Sequence, residues 1–528
     1  MARFDKLAYE LQSMILAQCD QPSLHALSLV CRNFAVLSNQ FLYTNIDWVW
    51  RYHKRKVQHP PPLALFLRTL IECPRLASLV RRFRLEVDKS FNDGFKYMRE
   101  YLDGIKPDPL DPQIFDAAMK LIYYRGFPDK GRWRASLSLR RIDAVIALIL
   151  SQLDRLEELD LGMCLVHKST YVGIAMTRLI MRRHDGFFSH LKKIKFAENV
   201  QGFEAVGMET DINQIVPCFY LPSLKELDIT FSDTWSTSWP EFKKCLQRKP
   251  SASLTTLRLY RCDISPEFIG KFVSLAPALK VLHCGILRDE WNFEEADDES
   301  DEDSGDRIDF ADLRSALLPA ADTLEDLTID VVHCEKNCDV HAPLSKTGKI
   351  PMGSLLQFKA LRSLEIPSSL LLGETPWHPY KQLSDLLPPS IRYLTLVDDA
   401  VTWETYSERR PDPPKRSMQT IIDVLAEYLD PCARYAPLLQ HITLVQGKFK
   451  PWSGSSLLDE EYINSNVSRR TQPEQLHRIA KQSGVGLSVS YYRRFDEGGG
   501  MYNATLSVYD PEKPDAGLVE HGAKPPKL

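Results

Sequence analysis

The chain of 528 residues has no long uninterrupted apolar run. The best stretch, Ile142 to Leu150, already holds Asp143 and falls well short of the roughly 18 to 20 residues of a membrane-spanning helix. No excess of one charge is present either. Its 66 Lys and Arg stand against 70 Asp and Glu, a formal charge of −4, which argues against a nucleic-acid-binding protein as a whole. The sequence contains no Gly-rich phosphate loop, no Gly-x-Ser-x-Gly elbow and no convincing Cys/His pairing, so no enzyme and no cofactor is expected. The opening Met1-Ala-Arg-Phe-Asp-Lys lacks a signal peptide's apolar core. Eleven scattered cysteines, an odd number, then read as reduced thiols of a cytoplasmic and/or nuclear protein, in which the sequons at Asn466 and Asn503 stay unused. What is plentiful is apolar residues, at 44%, enough for a large buried core.

Residues 1–47 form the first stretch. Leu7, Leu11, Ile15 and Leu16, then Leu24, Leu27, Val30, Cys31, Phe34 and Leu37, recur at helical spacing and predict a helical hairpin or trihelical unit. Asp20 and Pro22 break it, and Ser23 is a reasonable N-cap for the second helix. So small a unit buries little surface and commonly needs a partner. Residues 48–62 are basic and aromatic (Arg51, His53, Lys54, Arg55, Lys56) and end in Pro60-Pro61-Pro62, which predicts a solvated linker.

Residues 63–484 repeat. The pattern apolar-x-x-apolar-x-apolar is led by Val80, Leu156, Leu191, Leu224, Leu254, Leu279, Leu324, Leu361, Ile391 and Leu439. One such hexapeptide is weak evidence in an apolar-rich chain; ten are strong. Three of them place Cys164, Asn199 or Cys262 three residues past the last apolar position. From Leu156 to Leu439 the spacing averages about 35 residues against the ~20 to 29 of a leucine-rich repeat, so irregular repeats with insertions are expected. The clearest insertion is 294–306, with nine carboxylates in thirteen residues, read as a disordered loop in which Ser300 resembles an acidophilic kinase site. Ser407 to Arg416 is a second break. Residues 485–510 alternate on either side of Asp496-Glu-Gly-Gly-Gly500 and predict a capping hairpin, and 511–528 a flexible tail.

A strand made from each hexapeptide turns its apolar residues inward and leaves the alternate ones on an open face. That face reads Arg82/Arg84, Glu158/Asp160, Lys193/Lys195, Glu226/Asp228 and Thr256/Arg258, then Val281/His283, Asp326/Thr328, Ser363/Glu365, Tyr393/Thr395 and His441/Thr443. The early rungs alternate in charge and are expected to neutralise each other. The later ones, with His283, Tyr393, Thr395, His441 and Thr443, are the better place for a partner.

The order helical pair, proline-ended connector and repeat array resembles an F-box protein with leucine-rich repeats. The family's opening Leu-Pro-x-Glu-Leu/Ile stands here as Leu7-Ala8-Tyr9-Glu10-Leu11, followed by Ile15-Leu16. Leu24-x-x-Leu27-x-x-Val30-Cys31-Arg32-x-Phe34 and Leu42-Tyr43-x-x-Ile46 complete the match over about forty residues. Ala8 replaces the usual proline, and Cys19 a commoner leucine. The resemblance implies an α/β fold in which a helical F-box precedes a curved solenoid with a parallel concave sheet and outer helices. It also implies a substrate-recognition adaptor of an SCF-type cullin–RING ubiquitin ligase, bound to the Skp adaptor and through it to cullin. The residues facing that adaptor would be Leu7, Ala8, Leu11, Ile15, Pro22, Leu24, Leu27, Val30 and Cys31. No nucleic acid and no membrane is among the expected partners. The alternative is a non-catalytic leucine-rich-repeat scaffold acting outside ubiquitylation.

His333, Cys334, Cys338 and His341 have the spacing of a zinc staple, but a polar loop is the better reading and no metal is expected. Trp235 and Trp239, just past the Leu224 hexapeptide, are read as packing a long loop rather than as partner anchors.

Overall fold

A computed structural model describes residues 4–53, 56–58, 61–87, 107–162, 171–181, 188–196, 215–230, 250–262, 264–289, 308–334, 348–349, 351–373, 382–398, 418–429, 435–446, 471–494, 501–512 and 519–522. The insertion at 294–306, Ser407 to Arg416, Cys338, His341, Trp235 and Trp239 lie outside these residues. The chain is mixed α/β and divides into two compact units, Met1–Asp233 with Thr237–Thr256, and Thr234–Ser236 with Leu257–Leu528.

The first unit opens with three helices, α1 (Tyr9–Leu16), α2 (Gln21–Ser28) and α3 (Arg32–Thr44). The cap of α2 is Asp20, not Ser23: its carboxylate accepts from the Ser23 backbone N–H at 3.0 Å. Pro22, which has no N–H to satisfy, fits within that first turn. Leu16, Leu24 and Leu37 form a small core, against which Phe4, Cys19, Leu27, Phe34, Phe41 and Leu42 pack.

The chain then enters β1 (Asn45–His53) and turns back as β2 (Lys56–Gln58), antiparallel to it. The stretch expected to be a solvated linker is therefore part of the sheet. β1 also runs parallel to β3 (Arg82–Val87), with Ile46 beside Phe83 and Trp48 beside Leu85. The Trp48 ring meets Phe66 edge-on at 5.2 Å, and this packing outweighs the basic residues that follow. Between the strands lie α4 (Leu63–Glu72) and α5 (Pro74–Ala77). After β3 come α6 (Pro112–Arg125), α7 (Lys130–Ser138), α8 (Ile142–Leu150), β4 (Glu158–Leu161), α9 (Tyr171–Met181), β5 (Lys193–Phe196) and β6 (Glu226–Ile229). The strand order is β2-β1-β3-β4-β5-β6. All nine residues of α8 are buried, which accounts for the longest apolar run of the chain as a core helix.

The second unit holds β7 (Thr256–Cys262) apart from its first residue, α10 (Pro266–Ser274), β8 (Val281–Asp289), β9 (Ile308–Asp309), α11 (Phe310–Leu317), β10 (Asp326–Cys334) and β11 (Gly348–Lys349). It continues with β12 (Ser363–Pro367), α12 (Ser368–Leu372), α13 (Leu383–Leu386), β13 (Tyr393–Asp398), α14 (Met418–Leu429), β14 (His441–Gln446) and α15 (Thr471–Ser483). β15 (Gly486–Arg494), β16 (Met501–Tyr509) and β17 (Val519–Gly522) end it. Strands run in the order β7-β8-β10-β12-β13-β14-β15-β16-β17, with β9 and β11 paired separately. β15 and β16 form the antiparallel hairpin that the alternation at 485–510 predicts. The tail is not wholly free, because β17 pairs antiparallel with β16 through Ala504 to Ser507.

Each of the ten hexapeptides becomes a strand beginning two residues after its leading apolar side chain. Leu156 before β4 and Leu159 and Leu161 within it are buried, and the same holds for Leu324 before β10 and Leu327 and Ile329 within it. A shared backbone device sets the register. Lys192 and Lys193 both donate their N–H to the Glu157 carbonyl, and Lys225 and Glu226 both donate to that of Lys192. In the second unit Arg362 and Ser363 likewise share Glu325, and Gln440 and His441 share Arg392. The repeat is thus one of hydrogen bonding as well as of hydrophobicity.

Candidate functional site

Two surfaces carry the side chains singled out by sequence. The first is the helical start. Leu11 and Ile15 are 49% and 45% exposed although they belong to the apolar stripe of α1, because Leu16 takes the inward position. Ala8, Pro22, Val30 and Cys31 are exposed as well, and Leu7 is half-buried. Leu24 is placed differently: it lies in the small unit's own core, and Leu27 packs against that core. Tyr9, Met14, Leu29 and Val36 are exposed and were not singled out by sequence; helical spacing around Leu11 and Ile15 is the signal that would have found Met14. Ala8 precedes α1 at φ −59° and ψ 149°, the backbone geometry that a proline imposes. Loss of proline there therefore leaves the chain's path unchanged.

The second surface is the strand face opposite the apolar rows. In the first unit it is an ion-pair lattice. Arg82 meets Glu158 at 3.1 Å and Lys193 meets Glu226 at 3.0 Å, each across one strand boundary. Arg84 reaches Asp47, Glu86 and Asp160 at 3.2, 2.5 and 3.6 Å. Lys195 reaches Asp160 at 3.5 Å and, across an intervening strand, Glu86 at 3.3 Å. Strands ~4.8 Å apart permit that reach to long side chains. Burial pushes the Glu86 carboxyl up, but Arg84 and Lys195 outweigh it and hold it below the usual carboxylate range. For Asp160 burial prevails, with Glu86 adding to it, and its pKa is raised. Asp47 and Glu86 lie outside the hexapeptide's two face positions. Glu86 continues the alternation of Arg82 and Arg84 by one more step, a signal the sequence does contain.

In the second unit the face changes character. Tyr393, half exposed, stands beside His441 in register, and Thr395 stands beside Thr443. The Tyr393 hydroxyl donates to Gln440 Oε1 at 2.7 Å. His441 Nε2 lies 2.9 Å from Ser488 Oγ, and Thr443 Oγ1 lies 3.2 Å from the same atom. Gly486 makes room for that imidazole, because a Cβ there would lie 2.5 Å from His441 Nδ1. Burial pushes the His441 pKa down, and Asp510 opposes this only in part, so the ring is neutral near pH 7. His283 packs its ring against Tyr260 at 5.1 Å. The structure therefore brings Tyr393, Thr395, His441 and Thr443 together on adjacent strands, while His283 sits on β8. Gln440, Gly486 and Ser488 are additions that only the pairing reveals.

Cys334 ends β10, and no group of three or more His, Cys, Asp or Glu that could hold a metal occurs among the described residues. No helix among them is long and apolar enough to cross a membrane. Buried Cys218 and Cys284 have raised pKa values, that of Cys284 pushed up to about 12, so neither is a reactive thiolate. No protein-family model matches the chain. No curated protein matches it in sequence either.

Proposed function

We propose that the chain is the substrate-recognition adaptor of an SCF-type cullin–RING ubiquitin ligase, with a leucine-rich-repeat array behind an F-box-like helical start. On this reading α1–α3 dock on the Skp adaptor, and the strand face around Tyr393, Thr395, His441 and Thr443 holds a protein substrate. The protein itself transfers nothing; it acts in the cytoplasm and/or nucleus as a non-catalytic bridge.

The observation that carries the reading is the division of apolar side chains in the helical start. Three leucines make its core, while Tyr9, Leu11, Met14, Ile15, Leu29, Val30 and Val36 remain exposed. Such a concentration on so small a unit marks an interface. Support for the substrate face is electrostatic: the cations on the first unit's strand face are spent on carboxylates of other strands, whereas Tyr393 and its hydroxyl-bearing neighbours are held by neutral hydrogen bonds.

A pull-down tests both halves. Full-length protein should recover Skp adaptor and cullin, and Leu11→Asp with Ile15→Asp should lose both while the repeats still capture their protein. Adaptor recovered without cullin would favour the scaffold alternative. Tyr393→Ala with His441→Ala should abolish substrate capture; if these leave it intact while Lys193→Ala and Lys195→Ala abolish it, the substrate face has been misplaced.

A further inference from the structure

A third surface takes no part in that reading. The helices α6 and α7 form a hairpin. Lys130 at the start of α7 lies over the Tyr123 ring at the end of α6, and Arg134 lies over Phe115 near its beginning. The turn is made by Gly126, at φ 63°, and by Asp129, whose carboxylate accepts from the Arg132 backbone N–H. Ile114, Ala118 and Ile122 of α6 face inward, as do Trp133, Ser136 and Leu137 of α7. Lys120, Tyr123, Tyr124, Lys130, Arg132 and Arg134 are left outside.

This surface is cationic in a way the strand face is not. From Asp111 to Ser138 five cations, Lys120, Arg125, Lys130, Arg132 and Arg134, stand against three carboxylates, of which Asp111 and Asp129 already accept from backbone N–H groups at the helix starts. Among the described residues no carboxylate forms an ion pair with Lys120, Lys130, Arg132 or Arg134, whereas Arg81, Arg82, Arg84, Lys192, Lys193 and Lys195 are all paired. Tyr123 and Tyr124 are 70% and 69% exposed, which is unusual for large aromatic side chains. Their rings are covered by cations: Lys130 Nζ lies 3.9 Å from the Tyr123 centroid and the Arg125 guanidinium 5.7 Å from that of Tyr124. Faces occupied in this way are poor platforms for stacking bases. The Lys130 ammonium over Tyr123 and the Arg134 guanidinium over Phe115 keep donors available for carboxylates, with part of the side-chain entropy already lost.

We propose that the α6–α7 hairpin is a docking surface for an acidic peptide segment of a partner protein, separate from both the helical start and the substrate face. Lys120, Lys130 and Arg134 supply the charge, and the two tyrosines supply hydrogen-bonding hydroxyls.

Fluorescein-labelled deca-glutamate titrated with the full chain tests this by anisotropy. Binding is expected at low salt, and it should weaken about tenfold in Lys120→Gln/Lys130→Gln/Arg134→Gln and also as salt is raised to physiological strength. The three side chains are exposed and unpaired with carboxylates, so only their exposed cation–π contacts are lost and the melting temperature should fall by no more than a few degrees. Should the triple variant nevertheless unfold, Lys120→Gln and Arg134→Gln taken singly should each lose about twofold. Failure of wild type to bind, or equal binding by the variants, overturns the proposal. So does tighter binding of oligo-thymidine or of phosphatidylserine vesicles that the same substitutions abolish, which would assign the surface to nucleic acid or to a membrane.

Discussion

Replacing Lys195 by methionine probes the ion-pair lattice at its most buried point. The ammonium sits 3.3 Å from Glu86 and 3.5 Å from Asp160, carboxylates whose side chains are only 8% and 16% exposed. Methionine keeps much of the aliphatic stem and removes the charge. Neither carboxylate is wholly abandoned, because Arg84 remains 2.5 Å from Glu86 and 3.6 Å from Asp160. The cost should therefore fall below the roughly 3 to 5 kcal/mol of orphaning a buried charge, at about 1.5 to 2.5 kcal/mol near neutral pH. Its pH dependence is the sharper test. Glu86 titrates below its ordinary range, so the stability it contributes is present above about pH 4.3 and is lost as the pH falls through its lower folded value. Without Lys195 that depression shrinks, and Asp160, already raised by burial, takes up a proton more readily still. The difference between wild type and variant should be largest near neutrality, narrow as the pH falls below about 4.3, and close only once the pH has passed through the lower folded-state value of Glu86. Urea unfolding followed by tryptophan fluorescence, to which the buried Trp133 of the same unit contributes, measures it, and Lys195→Arg should retain most of the stability. An equal loss at every pH would mean that packing rather than charge is responsible. No loss at neutral pH would refute the lattice as a stabilising element.

Three further outcomes are expected. Leu16→Ala, at a fully buried position of a three-leucine core, should destabilise the helical start by about 2 to 4 kcal/mol, whereas Leu11→Asp with Ile15→Asp should leave its melting nearly unchanged; circular dichroism distinguishes them. Gly486→Ala should push the His441 imidazole away from Ser488 and cost about 1 to 3 kcal/mol, and an unchanged unfolding midpoint would show that the ring simply shifts. Because the folded-state pKa of His441 is depressed, the unfolded chain takes up that proton first on acidification. His441's contribution is present above about pH 6.5 and declines as the pH falls below it, so His441→Gln should flatten the acid side of the stability profile measured by thermal melting.

Much of the framework was legible in the amino-acid order. Ten hexapeptides give ten strands because the inward row of a parallel sheet tolerates little but apolar side chains, and that demand leaves a period in the sequence. The charge alternation of the early rungs was readable for the same reason, since residues at equal positions of successive repeats become neighbours. Other features were not. The stretch around Trp48 has the composition of a connector, and it becomes a strand because β3 offers an edge and Phe66 and Phe83 offer ring contacts. Val519–Gly522 is paired only because β16 lies beside it.

The order of residues by itself settled which side chains of the ten hexapeptides face the core and where those ten strands begin, because period and burial are local properties of a strand. Tertiary structure alone decided which of the remaining side chains are available. Leu24 and Leu11 are the same residue type in adjacent helices, yet one is buried and the other exposed, and the difference lies in where α3 packs. Lys195 and Lys130 are likewise one chemical group, but carboxylates from the adjacent strand and from the one beyond it surround the first, and none pairs with the second among the described residues. Availability depends on what the folded chain brings within a few ångströms, and that distance is not written in sequence separation.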